Sequence, residues 1–208
     1  MYRFLILIVV AGVAAECAAQ TARSAHFRVI YPRTVDARDA DYVLNLLEHN
    51  RAELLERVSN AGIDARLPNL DLVFNASTGD FVARTGMPSW AAAATHKNKI
   101  ELQPLPSLKQ RRILESTLRH ELAHAVIDTL GANPRWLVEG MAIYLAGEGK
   151  LLEPYRSNAS IDTIEHQLTS PKSSADMRTA YANAYTLVHE LIRTHGENAL
   201  WKRLAQRS

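Results

Sequence analysis

His120, Glu121 and His124 stand in the order H-E-x-x-H. On a helix of 3.6 residues per turn, imidazoles at i and i+4 point about 40° apart, so both can reach one ion. Glu121 lies about 100° from His120 around the same axis, near enough to take a proton from a metal-bound water without joining the ligands. Two histidine ligands and a glutamate base are the chemistry of a zinc-dependent hydrolase. Catalytic zinc takes three protein ligands and keeps a fourth position open, so one more ligand is needed. Glu139 is the candidate, because the Gly131-Ala-Asn-Pro134 turn lets a second helix fold back antiparallel with its first turns facing the motif. Glu148, Glu153 and Glu165 lie in or beyond a stretch broken by Gly and Pro and are weaker candidates. A metzincin would need Gly in place of Ile127 and His in place of Leu130. The bland alternative makes His120 and His124 ordinary histidines at the edge of an amphipathic helix.

The flanks of the motif argue for a helix. Ser107 and Gln110 have the spacing of a capping box behind Pro106, and Gly131 with Pro134 marks a stop. Between them, Leu114, Leu118, Leu122, Ala125 and Thr129 share one face, with Arg112, Glu115 and Arg119 opposite. Ile113, Thr117, His120, His124 and Asp128 form a stripe beside the apolar face, which would leave a metal half enclosed at the edge of the core.

The run His120-Glu-Leu-Ala-His124, then Pro134-Arg-Trp-Leu-Val-Glu-Gly-Met-Ala-Ile-Tyr144, resembles the gluzincin metallopeptidases, most closely the small bacterial peptidase MA-like proteins. The resemblance implies zinc held by His120, His124 and Glu139, with Glu121 as base. It also implies that the sheet edge beside the motif helix holds an extended peptide, a part open to Trp90 to Thr95 or to Lys99 to Gln103. In the related aminopeptidases a tyrosine donates a hydrogen bond to the tetrahedral oxyanion. Tyr181 matches that placement and Tyr185 is the runner-up; a neutral phenol offers a donor without a competing charge.

The elements that must position these residues are read from the rest of the chain. His26 to Tyr31, Asn69 to Phe74 and Lys99 to Gln103 read as strands. Asp36 to Asn60 reads as a long amphipathic helix, and Ser77 caps a short one that Gly86 closes. Trp136 and Leu137 are expected to dock the second helix of the site onto the first, with Gly140 allowing close approach. Ser160 to Leu168 forms one short helix, with Ile161, Ile164 and Leu168 inward and Glu165 and His166 solvated. A helix opened by Asp176 or Thr179 runs to Ile192, and a short terminal one follows Gly196. The expected architecture is α+β and zincin-like, with a small mixed sheet in the N-terminal half and a helical C-terminal half that carries the metal.

Residues 1 to 19 read as a signal peptide. Arg3 is followed by an apolar run from Phe4 to Ala15, and Cys17-Ala18-Ala19 offers small residues before a cut at Gln20. An uncleaved anchor is the alternative; lipoprotein processing at Cys17 fits poorly after Glu16. Cleavage would remove the only cysteine, so no disulfide is available and one domain over 20 to 208 must rely on its core and its metal. The expectation is a bacterial protein, periplasmic or secreted, with no stable membrane span after cleavage. A formal charge of +2, with basic residues interleaved among acids, excludes an electrostatic nucleic-acid surface. Besides a peptidase, a zinc-stabilised and catalytically silent envelope scaffold and a hydrolase of non-peptide substrates remain open.

Overall fold

A computed structural model describes residues 19–206, so the expected signal peptide lies outside the described residues except for Ala19. The N-terminal half builds a five-stranded mixed sheet from β1 (Ala19–Arg23), β2 (Phe27–Pro32), β3 (Leu70–Phe74), β4 (Ala93–His96) and β5 (Lys99–Leu102), in the order β1-β2-β3-β5-β4. β2, β3 and β5 run parallel, and the two outer strands, β1 and β4, pair antiparallel with their neighbours. Nothing in Ala-Gln-Thr-Ala-Arg announces β1, which is largely exposed, pairs with β2 and touches α1.

Nine α-helices complete the described chain: α1 (Ala37–Asn60), α2 (Thr78–Thr85), α3 (Leu105–Gln110), α4 (Leu114–Asp128), α5 (Arg135–Ala146), α6 (Gly149–Leu152), α7 (Ile161–Thr169), α8 (Ser174–His195) and α9 (Glu197–Ala205). The fold is therefore α+β, as its sequence pattern requires. Asp36 caps α1, and Val43, Leu47, Leu54 and Val58 bury one stripe against the sheet and α4. α4 in turn lies against β4 on one side and α5 on the other, and α5 packs on α8. This stack places the motif helix between an edge strand and the helical half. Among the described residues no helix is long and apolar enough to cross a membrane.

Four local expectations need correction. The capping box at Ser107 and Gln110 does not open the motif helix: α3 starts two residues earlier, with Pro104 before it and Pro106 in its first turn, where a missing N–H does no harm. A left-handed Arg112 (φ 56°) then breaks the chain, and α4 begins afresh at Leu114. Thr129 falls beyond the end of α4 and is exposed. α8 opens at Ser174, with the Ser173 hydroxyl accepting from the Asp176 amide at 3.1 Å, so the two residues expected to start it lie inside. In α7, Ile164 and Leu168 are buried, but Ile161 is 47% exposed, being in the first turn where no neighbour covers it.

Trp136 and Leu137 are buried as expected, while Gly140 serves a different neighbour. A Cβ on Gly140 would stand 2.5 Å from the Ala184 carbonyl oxygen and 2.6 Å from Val188 Cγ2, so the close approach is to α8 rather than to α4. A second tie crosses the fold: Glu53 on α1 accepts from Arg57 and from Arg119 on α4, and Arg57 reaches Glu197 on α9 at 2.9 Å. Burial raises the Glu53 pKa, but the hydrogen bond from Arg57 and the charge of Arg119 outweigh it and bring it below the ordinary 4.5.

Gly140→Ala is expected to destabilise the fold by about 1–3 kcal/mol through overpacking, read by chemical denaturation. Because the folded pKa of Glu53 is depressed, its contribution to stability is complete above about pH 4.5 and is lost as pH falls through the folded value. Glu53→Gln should therefore flatten the acid limb of the stability–pH curve; an unaltered limb would assign the acid sensitivity elsewhere.

Candidate metal centre

α4 carries His120 and His124 on the side that faces α5, and the chain reversal through Gly131 (φ 122°) brings Glu139 from the second turn of α5 against them. The three side chains meet. His120 Nε2 and His124 Nε2 are 3.0 Å apart, and Glu139 Oε2 is 3.6 Å from the first and 3.3 Å from the second. A tetrahedral ion with bonds of about 2.0–2.1 Å spaces its ligand atoms about 3.3 Å apart, so the triangle fits such an ion.

The surroundings of each ligand atom point the same way. Glu139 is 6% exposed, its Oε1 accepts from Arg135 at 3.4 Å, and its Oε2 is buried without a hydrogen-bond partner. A buried carboxylate oxygen left bare is costly unless a cation meets it. Burial would raise the Glu139 pKa, but the His124 and His120 rings outweigh that and hold it well below the ordinary carboxylate value. Burial would lower the His120 pKa, but Glu139 and Glu148 outweigh it and raise it well above its usual value. Charge is thus concentrated where the three ligand atoms converge.

Two further residues act on this group, and neither was singled out by sequence reasoning for the part it takes. Glu148 Oε2 lies 3.0 Å from His120 Nδ1, a pairing that keeps a proton on Nδ1 and would leave Nε2 as the nitrogen to ligate an ion. Burial works against the Glu148 charge, yet the His120 contact keeps its pKa low. Thr95 on β4 donates to Glu121 Oε2 at 2.5 Å, fixing that carboxylate beside the histidines from the sheet side. No spacing could have revealed either, since each contact joins separate elements. Glu165, expected in solvent, accepts from the backbone amides of Arg135 and Trp136 at 2.9 Å and so caps α5, the helix that presents Glu139.

A cleft between α4, β4 and α8 opens onto the group in two adjoining lobes of about 380 and 310 Å³. His120, Glu121 and Tyr181 line both. Tyr181 lies two turns inside α8 rather than at its start, and burial together with the charges of Glu139 and Glu121 pushes its pKa up, so the phenol is neutral. Tyr185 is placed elsewhere. Its ring lies against Gly149, where a Cβ would be 2.0 Å from it, and stacks on His189. Of the two strands considered as a sheet edge beside the motif helix, β5 is interior and β4 is the edge. A larger groove of about 640 Å³ between α1 and the start of α4 has its acids already satisfied, Asp39 by Lys109 and Glu115 by Tyr42.

Fold and site together define a class: a zincin-like α+β protein with a His-His-Glu group that could hold a metal ion. Among solved structures the chain is similar to native leukotriene A4 hydrolase from Saccharomyces cerevisiae, with a TM-score of 0.51 and 13% sequence identity. The match covers 90% of this chain and 32% of that one, so the chain spans under a third of that protein's length, and at this identity the likeness is one of fold. No protein-family model matches the chain, and no curated protein matches it in sequence.

Protein stripped with a chelator and titrated with zinc is expected to take up about one ion per chain and to melt at a higher temperature. Glu139→Ala should abolish or strongly weaken uptake, and Glu148→Ala should weaken it by about 10–100-fold. Full-strength binding by the Glu139 variant would remove this group as the metal centre.

Proposed function

We propose that the protein is a zinc-dependent metallopeptidase of the gluzincin, peptidase MA-like type, which hydrolyses peptide bonds in substrates bound along β4. The observation that carries this reading is the convergence of His120, His124 and the bare Glu139 oxygen, with a free carboxylate, Glu121, held at their side. A purely structural site needs the ligands and has no use for that base.

His120 Nε2, His124 Nε2 and Glu139 Oε2 would hold the ion, and zinc there supplies Lewis acidity that polarises a carbonyl and acidifies water. Glu121 accepts the proton of the attacking water and passes it to the leaving amine. Its carboxylate is already oriented by the Thr95 hydroxyl, so little reorganisation precedes the transfer. Tyr181, kept neutral by its buried and acidic surroundings, donates its phenolic O–H to the oxyanion that forms from the substrate carbonyl. Substrate binding on β4 is supported by its edge position and by Ala93, Ala94 and Thr95, short side chains that line the cleft and leave the strand's outer backbone groups within reach of a peptide. The apolar N-terminal run supports export from a bacterial cytoplasm, with the mature chain working as one domain in the periplasm or outside the cell.

In a digest of a mixed peptide library, Glu121→Gln is expected to retain zinc and lose about 10²–10⁴-fold in turnover. Tyr181→Phe should retain zinc and lose about 10²–10³-fold. Unchanged biological activity of the Glu121 variant with zinc still bound would favour a catalytically silent scaffold. A zinc-loaded wild-type protein that cleaves no peptide would turn the search toward other substrates.

A further inference from the structure

The two lobes of the cleft differ in charge. The smaller holds Asp128 and Glu139, and its one arginine, Arg135, is tied to Glu139. The larger is lined by two solvent-exposed arginines from separate elements: Arg111, which ends α3, and Arg178, in the second turn of α8. Among the described residues neither is ion-paired or hydrogen-bonded to a side chain. The acids of this lobe take other partners, Glu148 the His120 ring and Glu121 the Thr95 hydroxyl, so neither forms an ion pair with the arginines although both keep their charge.

We propose that this lobe is a carboxylate-binding subsite, in which Arg111 and Arg178 select peptides that carry a carboxylate close to the bond being cut. The inference rests on the peptidase reading and adds the class of substrate. The guanidinium of Arg178 lies over the Tyr155 ring, 5.1 Å from the centroid, a contact that restrains its orientation while leaving N–H groups to donate. A guanidinium offers parallel N–H donors that match the two oxygens of a carboxylate. Met87, Trp90 and Met177 line the same lobe and give it apolar surface that suits the methylenes of a glutamyl side chain or the last residue of a peptide. A monoanion is the fitting charge, because Glu121 and Glu148 in the same lobe repel a dianion more strongly.

The test uses zinc-loaded Glu121→Gln protein, which binds without turnover, and synthetic hexapeptides. These carry Glu or Gln at each position in turn, with free or amidated C-termini, and binding is read by calorimetry. The carboxylate forms are expected to bind roughly tenfold tighter than their neutral counterparts, a difference of about 1.4 kcal/mol. Adding Arg111→Gln and Arg178→Gln together should remove that preference while affinity for the neutral peptides and zinc content are kept. A preference set by Glu over Gln assigns the carboxylate to a side chain; one set by amidation assigns it to the C-terminus. Equal affinity for charged and neutral peptides, a preference that survives the double substitution, or no binding of any peptide overturns the subsite. Selective binding of carboxylate peptides by a protein whose wild type cleaves none of them would leave the subsite standing and sink the hydrolytic reading.

Discussion

A carboxylate oxygen buried without a hydrogen-bond partner, Glu139 Oε2, faces two imidazole nitrogens at 3.3 and 3.6 Å. Desolvating that charge is unfavourable by several kcal/mol unless a cation or strong donors compensate it. The rest of the half that surrounds it can be understood as keeping the three ligand atoms together. α4 holds the two histidines in one orientation, the turn at Gly131 returns the chain, and Glu165 caps α5 so that Glu139 arrives at a fixed height. An ion at the centre of the triangle would turn this unpartnered oxygen into a ligand.

That arrangement demands rigid supports on three sides. On one, β4 belongs to a sheet whose strand β2 packs against α1, and the buried Gln103 side chain ties the segment before β4 through the Ser89 and Ala91 carbonyls. On another, Gly140 lets α5 lie against α8 at a distance no side chain would allow. This same approach carries Tyr181 to the cleft, so a packing requirement of the core and the placement of a phenol beside the metal group have one origin. The third support is the Glu53, Arg57, Arg119 and Glu197 network, which ties α4 to α1 and α9 behind the site.

Electrostatics then divides the cleft. Acids line both lobes, Glu121, Asp128 and Glu139 the smaller and Glu121 and Glu148 the larger, while the arginines without an ion pair in the described cleft, Arg111 and Arg178, stand in the larger one. On the peptidase reading proposed above, a peptide along β4 would meet the two lobes at different points of its length.

The helical period by itself determined that His120, Glu121 and His124 could serve one ion, because side chains at i and i+4 share a face wherever the helix lies. Alternation and capping likewise marked β2, β3, β5, α1 and α2, whose residues carry their own local signals. The Ser107 signal misled because a capping box is one hydrogen-bond pattern among several that four residues can satisfy, and Pro104, Pro106 and the left-handed Arg112 settled the chain differently. Tertiary structure alone decided the partners that lie far apart in sequence: Thr95 on Glu121, Glu148 on His120, Glu165 on α5, β4 at the edge and Tyr181 rather than Tyr185 at the cleft. Such contacts join separate elements whose relative placement depends on how whole faces bury against one another, and no local pattern of residues encodes that distance.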